Sequence, residues 1–171
     1  MLWLRGLIFS ILVPGVVAFF LPLALDSDAR LKGGIWQVGW LPVAAGTLIY
    51  ALCLVRFLMA GGTPAIFFAH HLRFVIGEEP SSLVSGGLYR VSRNPMYLGV
   101  LLVVFGQAVL FSSQVLAGYA CEVVIFFQMV VVFVEEPHLR ATRGSSYESY
   151  CRMVPRWVGL PRWRSKAEER T

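Results

Sequence analysis

Four apolar runs, each close to the length of a bilayer crossing, leave this chain little choice of fold. They cover roughly residues 7–25, 35–59, 95–111 and 115–134. A helix rises about 1.5 Å per residue, so about twenty apolar residues cross the roughly 30 Å of hydrocarbon. No water reaches the backbone there, so each run must close its hydrogen bonds within itself as a helix. The third run is short and borrows from its flanks. Hydrophobic residues make up 57% of the 171 residues and charged ones 15%, too apolar a balance for an ordinary soluble domain. The expectation is an all-α integral membrane protein of about four transmembrane helices, with residues 1–171 forming a single membrane domain.

Arg5 precedes the first run as in a signal peptide. The apolar part is longer than a signal core, and no small-residue cleavage site follows, so it reads as an uncleaved span. Cys53 and Cys121 fall inside runs and Cys151 in the tail, which gives neither a disulfide framework nor metal-ligand spacing. Of the fifteen Lys and Arg, Arg30 and Lys32 follow the first run and none sits in the "SSQ" turn after Phe111. The remaining thirteen lie at the N-terminus, between Arg56 and Arg93, or after Glu136. The positive-inside bias then puts both termini, the loop 61–94 and the tail 137–171 in the cytoplasm. Trp3, Trp36, Trp40 and Trp157 sit near span ends, as interfacial aromatics do. The net charge of +5 follows from this topology and from attraction to anionic lipid, with nothing pointing to nucleic acid.

The "SSQ" turn forces the last two spans into an antiparallel hairpin whose loop lies outside. "GGTP" at residues 61–64 should stop the second helix. The stretch "AIFFAHHLRFVIGEEPSS" after it is too short to span and too apolar for free solution, so it belongs at the interface or folded back against the bundle. Within it, adjacent His70 and His71 point in different directions, a poor metal geometry. The tail is too short to bury a core of its own.

Two polar clusters abut the last two spans. "GLYRVSRNPMYLG", residues 87–99, is partly a helix start: Asn94 suits an N-cap and Pro95 the first helical position. Arg90 and Arg93 could anchor the span, but that leaves Tyr89, Tyr97 and Gly99 without a reason. The second cluster, Val132 to Trp157, opens with Glu135 and Glu136 at the expected C-terminal end of span four. The helix dipole disfavours negative charge there, so the pair calls for a cation, either Arg90 or Arg93 or a cationic ligand. Glu122 lies inside span four, where an ionised carboxylate costs a few kcal/mol. At 100° per residue it falls within roughly 40° of Glu136, and Gln128 shares a face with Glu135. Both stripes should face the bundle interior, where Glu122 either hydrogen-bonds Gln107 or Gln114 or meets a substrate. No dinucleotide or phosphate-binding glycine motif and no Ser-His-Asp constellation is present.

Together these clusters resemble the membrane-embedded isoprenylcysteine carboxyl methyltransferases and phospholipid N-methyltransferases and their bacterial relatives. That family carries Gly-x-Tyr-x-x-x-Arg-His-Pro-x-Tyr before one helix. After the next come Glu-Glu-x-x-Leu and then Gly-x-x-Tyr-x-x-Tyr ending in Val-Pro. The matching residues here are Gly87, Tyr89, Arg93, Asn94, Pro95 and Tyr97, then Glu135, Glu136 and Leu139, then Gly144, Tyr147, Tyr150, Val154 and Pro155. Asn94 stands in place of the family histidine and Arg143 where a phenylalanine usually precedes the glycine.

The resemblance implies an S-adenosylmethionine-dependent methyltransferase in a bacterial inner membrane. Its cofactor pocket would lie at the cytoplasmic ends of the last two helices, capped by the tail, and would need no metal. It implies Arg93, Asn94 and Glu136 as catalytic, with Tyr89, Pro95, Tyr97, Glu135, Leu139, Tyr147 and Tyr150 joining them around the cofactor. The acceptor, a lipidic or small hydrophobic carboxylate, amine or thiol, would enter from the bilayer. Sterol reductases, which bind NADPH, share a similar C-terminal arrangement but are much longer. A non-enzymatic bundle held by the same Arg and Glu clusters is the other alternative.

Overall fold

The computed structural model describes residues 2–28, 30–31, 34–64 and 80–159, and among them every regular element is helical. The histidines His70 and His71 and the apolar loop around them lie outside the described residues. Helix α1 runs from Leu2 to Leu25, α2 from Trp40 to Met59 behind a 3₁₀ turn Gly34–Gly39, and α3 from Pro95 to Phe111. Helix α4 comprises Gln114–Val130 and a π turn Val131–Glu135, and α5 follows without a break over Glu136–Met153. Large apolar side chains such as Trp3, Leu41, Ile125 and Phe133 stand exposed around the outside, while Val104, Leu116, Ala120 and Val131 fill the centre. An apolar exterior on helices of this length makes it an integral membrane protein.

Two corrections to the sequence reading follow. The first span begins at Leu2 rather than near residue 7. The helix of span four does not stop at residue 134: α4 and α5 form one helical stretch, Gln114–Met153. Its 40 residues would reach about 60 Å, twice the hydrocarbon thickness, so α5 projects beyond the membrane. Gly144 breaks it with φ 52° and ψ −131°, a conformation that side chains with a Cβ rarely adopt, and the last turns of α5 bend there.

The tightest packing joins α2 to α3. Gly39 and Gly46 are seven residues apart, as are Gly99 and Gly106, and the antiparallel helices set Gly46 against Gly99 and Gly39 against Gly106. A Cβ added at Gly99 would lie 2.8 Å from Gly46 O, and one at Gly106 would lie 2.8 Å from Gly39 O. Only hydrogen fits in those gaps. Close backbone approach of this kind supplies the van der Waals contact that drives helix association where lipid removes the hydrophobic driving force.

Polar bonds inside the bundle hold α1. Pro14 lacks an N–H and crowds the carbonyl a turn before it, and the helix widens into a π stretch over Ile11–Phe20. Tyr119 donates to Val17 O at 2.7 Å and Gln107 Nε2 to Ala18 O at 2.7 Å, tying α1 to α4 and α3. Tyr50 donates to Ser10 Oγ at 2.6 Å from α2. Ser112, in the left-handed region at φ 50°, turns α3 into α4, and Ser113 Oγ caps α4 by accepting from Leu116 N at 3.2 Å. The tight antiparallel hairpin expected from "SSQ" is therefore present.

Replacing Gly99 by Ala forces a methyl against backbone atoms of Gly46 and Tyr50 that cannot yield. It should destabilise the protein by about 1–3 kcal/mol in thermal melts in detergent micelles. Truncating the lipid-facing Leu48 to Ala should cost much less, and equal melting of the two variants would contradict the close α2–α3 approach.

Candidate functional site

The site grows from the turn ahead of α3. Gly87, at φ 63°, opens a 3₁₀ turn Gly87–Arg90 that buries Tyr89 against Phe57, ring centroids 5.7 Å apart. The chain then enters α3 at Pro95, which carries no N–H to leave unpaired. Asn94 occupies the N-cap position, but its side chain makes no cap bond, contrary to the sequence expectation. Its Nδ2 instead donates to Arg156 O at 3.0 Å. Ser92 Oγ donates to the same carbonyl at 3.3 Å, and Arg93 N donates to Pro155 O at 2.9 Å. The start of α3 thus holds down residues 154–157, a strap after α5 whose Trp157 Nε1 donates to Gln128 Oε1 of α4 at 2.7 Å.

Beneath the strap, one carboxylate gathers three arginines. Arg156 grips Glu136 with two bonds, Nε to Oε1 at 2.6 Å and a terminal nitrogen to Oε2 at 3.0 Å. Arg93 donates to Oε1 at 3.1 Å and to Cys151 Sγ at 2.8 Å. Arg140, one turn along α5, lies 3.5 Å away, but its side chain is 57% exposed against 11% for Arg93 and 5% for Glu136. Burial alone would raise the Glu136 pKa, but the Arg156 hydrogen bond and the charges of Arg93, Arg156 and Arg140 outweigh it and hold the group below its ordinary 4.5. Tyr150, raised by burial, stays protonated and donates to Tyr89 O at 2.6 Å.

The neighbouring carboxylate is placed differently. Glu135 accepts a hydrogen bond from Tyr97, whose ring lies 4.5 Å from that of Phe127, and the favourable charge acting on it is His138, one turn along the helix. Two adjacent glutamates thus take separate jobs because consecutive helical side chains point about 100° apart. They sit in mid-helix across the α4–α5 junction, not at the helix end assumed in the dipole argument. The stripes linking Glu122 to Glu136 and Gln128 to Glu135 also fail. The π turn Val131–Glu135 rotates everything beyond it by roughly one residue, ~100°. Gln128 bonds Trp157, Gln107 bonds Ala18, and Glu122 is exposed on the outer face of α4.

These groups surround a cavity of about 460 Å³. Its polar mouth carries Arg93, Asn94, Tyr97, Glu135, Glu136, Tyr147 and Tyr150, with Tyr89 and Leu139 beside them. Of the ten residues that the resemblance implies as catalytic or around the cofactor, Pro95 alone is not in the lining; it is buried in the first turn of α3. The body of the cavity is apolar and reaches between α1 and α4, past Leu12, Val13, Val16, Phe126 and Val130. That α1 wall, Arg143 and the Arg156 clamp were not anticipated. The clamp had a faint signal, a basic residue directly after Val-Pro. Arg143, the departure from the family phenylalanine, donates to Pro80 O at 2.6 Å and to Ser81 O, fastening α5 to the segment before Gly87.

A site of this form, with charged groups at one end and a hydrocarbon-lined chamber at the other, suits a polar ligand meeting an apolar one. Residues 45–145, which contain the Arg93 and Glu135–Glu136 clusters, match the phospholipid methyltransferase family. The chain belongs to that family. It is also 33% identical over 89 residues to Protein-S-isoprenylcysteine O-methyltransferase B of Arabidopsis thaliana, a match covering 52% of this chain and 45% of that protein. The chain therefore spans less than half of that curated relative. No solved structure matches it. The family's paired motifs are the residues that the fold brings to one mouth.

Replacing Glu136 by Gln leaves Arg93 and Arg156 facing a neutral amide in a buried position. This should cost about 3 kcal/mol of stability, whereas Arg140→Ala at the exposed edge should cost less than about 1 kcal/mol. Because the folded-state pKa of Glu136 is depressed, its contribution is complete above 4.5 and fades as pH falls below that value. Between about pH 6 and about pH 3 the wild type should lose more stability than Glu136→Gln. Parallel losses would place the clamp's energy elsewhere.

Proposed function

We propose that this protein transfers a methyl group from S-adenosylmethionine to a lipidic or small hydrophobic acceptor at the mouth of the cavity. The observation that carries this reading is the continuity of one cavity from the Arg93–Glu135 mouth into the apolar chamber between α1 and α4. The residues fit such a cofactor. Arg93 Nε is buried without a hydrogen-bond partner, a donor suited to a carboxylate, and Glu135, bonded to Tyr97 at the mouth, offers a carboxylate to an ammonium. Tyr97, Tyr147 and Tyr150 present aromatic faces to a cationic or planar group. When bound, the cofactor supplies a methyl group on a sulfonium for in-line displacement.

The chain's task in that reaction is alignment and exclusion of water more than covalent work. Glu136 and its arginines hold the strap over the mouth, the strap fixes the start of α3, and α3 carries Tyr97 and Arg93 to the cavity. The apolar body of the chamber gives a hydrocarbon chain of the acceptor somewhere to lie, and a water-soluble acceptor would gain nothing from it. A carboxylate or thiolate acceptor needs no base. An amine acceptor does, and a carboxylate at the mouth is then the group available to take its proton. The bias of Lys and Arg supports a cytoplasmic mouth and cytoplasmic termini, and Asn94, a replacement seen in bacterial members, supports a bacterial inner membrane.

S-adenosylmethionine and its demethylated product should each raise the melting temperature of the purified protein in micelles, by about 2.7 kcal/mol of stabilisation at a hundredfold excess over Kd. NADPH should leave it unchanged, and Glu135→Gln should abolish the shift while melting near wild type without ligand. A folded protein that responds to neither methylation ligand would defeat the proposal. Reporters fused after Thr171 and in the Asp26–Lys32 loop should read cytoplasm and exterior respectively. The reverse pattern would move the mouth away from the cytosolic cofactor supply.

A further inference from the structure

The glycines inside the membrane helices fall into two kinds. Gly6 packs on Leu58, where an added Cβ would lie 2.9 Å from Cδ2, and Gly39, Gly46, Gly99 and Gly106 meet backbone across the α2–α3 contact. Gly15, in the π stretch of α1, has Ser10 O at 3.0 Å from the same construction. Gly118, in the second turn of α4, meets nothing within 4 Å. Glycine weakens a helix interior relative to alanine, and nothing among the described residues calls for it at this position.

One turn further along the same face stands Glu122. It is exposed and makes no hydrogen bond or ion pair among the described residues. Eight residues from the start of α4 place it about 12 Å into the bilayer, near the middle of the hydrocarbon, where an ionisable side chain requires a partner. Gly118, Glu122, Ile125 and Met129 recur at helical spacing on this face, opposite the buried Phe127, and Cys121 is exposed beside them. These are independent signs of a missing neighbour: a gap shaped for close approach and a polar group that lipid cannot satisfy.

We propose that this neighbour is a second copy of the chain, packed along the same face of α4. Two copies inserted in the same orientation are related by a twofold axis along the membrane normal, which sets each residue near its own counterpart. A carboxyl group is its own complement in that arrangement, since one that carries a proton donates to the other. Gly118 lets the helices close far enough for the two Glu122 side chains to meet. The cavity meets α4 through Phe126, Phe127, Val130 and Val131, and its charged mouth lies further along at Glu135 and Glu136, so pairing at Gly118 and Glu122 leaves the mouth open.

Cys121 supplies the test. In membranes containing the full chain, thiol oxidation or a short bismaleimide should give a covalent dimer that Cys121→Ser abolishes. Cys53 is buried and Cys151 sits beside Arg93 at the mouth, so neither accounts for that band. Gly118→Leu and Glu122→Leu should each reduce the cross-link at least fivefold, and Glu122→Gln, which keeps a donor and an acceptor, should retain most of it. Copies bearing two different tags should co-purify in the wild type and fail to do so in Gly118→Leu, which remains folded because a side chain there meets no atom of its own chain. Absence of the Cys121 dimer, a cross-link equally strong in the leucine variants, or a cross-link to a different protein would overturn the proposal.

Discussion

A single carboxylate joins segments that are far apart in the sequence, and the candidate site rests on that junction. Glu136 is reached by Arg93 from the start of α3 and by Arg156 from the strap after α5. An ionised carboxylate at this burial is tolerable only when charge and hydrogen bonds surround it, and both of its oxygens are bonded here. The pairing is therefore obligatory, and its geometric consequence outweighs its energy. Once Arg156 is seated, the carbonyls of Pro155 and Arg156 lie against Arg93 N and Asn94 Nδ2, and the strap closes over the cavity.

The substitution at position 94 makes sense in those terms. Asparagine there donates one hydrogen bond to the Arg156 carbonyl, a task that an imidazole N–H could equally perform and that asparagine performs at every pH. The visible work of the residue is to hold the strap. Arg143, in place of the family phenylalanine, likewise exchanges an apolar contact for two bonds to carbonyls, on Pro80 and Ser81, and keeps α5 fastened to the segment before α3.

Much of this was legible in the sequence because lipid imposes simple rules. Hydropathy located the four apolar helices, Ser112 and Ser113 marked a hairpin too tight to be anything else, and the separation of the Arg93 and Glu136 clusters across one hairpin brought opposite charges to the same end. What stayed hidden depended on register. The expectation that Glu122 faces inward assumed an unbroken α-helix up to Glu136, and the π turn at Val131–Glu135 is signalled only by Pro137 beyond it, which cannot donate to the carbonyl of Phe133. The dipole argument for the Glu pair assumed a helix end at a point where the chain continues as α5. It reached an arginine partner by a wrong route, because burial demands the cation. The helix terminus does not.

Both π segments border the cavity, and this connects the fold to its use. An α-helix offers its neighbours a uniform surface, whereas a π turn widens the helix, re-aims the side chains beyond it and loosens its own hydrogen bonding. In α1 the widening around Pro14 brings Leu12, Val13 and Val16 to the chamber wall, while the carbonyls of Val17 and Ala18 take bonds from Tyr119 and Gln107. In α4 the turn at Val131–Glu135 sends Glu135 towards Tyr97 and leaves Glu136 to the arginines. Regular helices throughout would have kept the polar stripes of α4 continuous and carried Glu135 round with Gln128. The irregular turns separate an apolar chamber from a charged mouth within one small bundle, and the glycine contact between α2 and α3 supplies the rigid wall against which they are held.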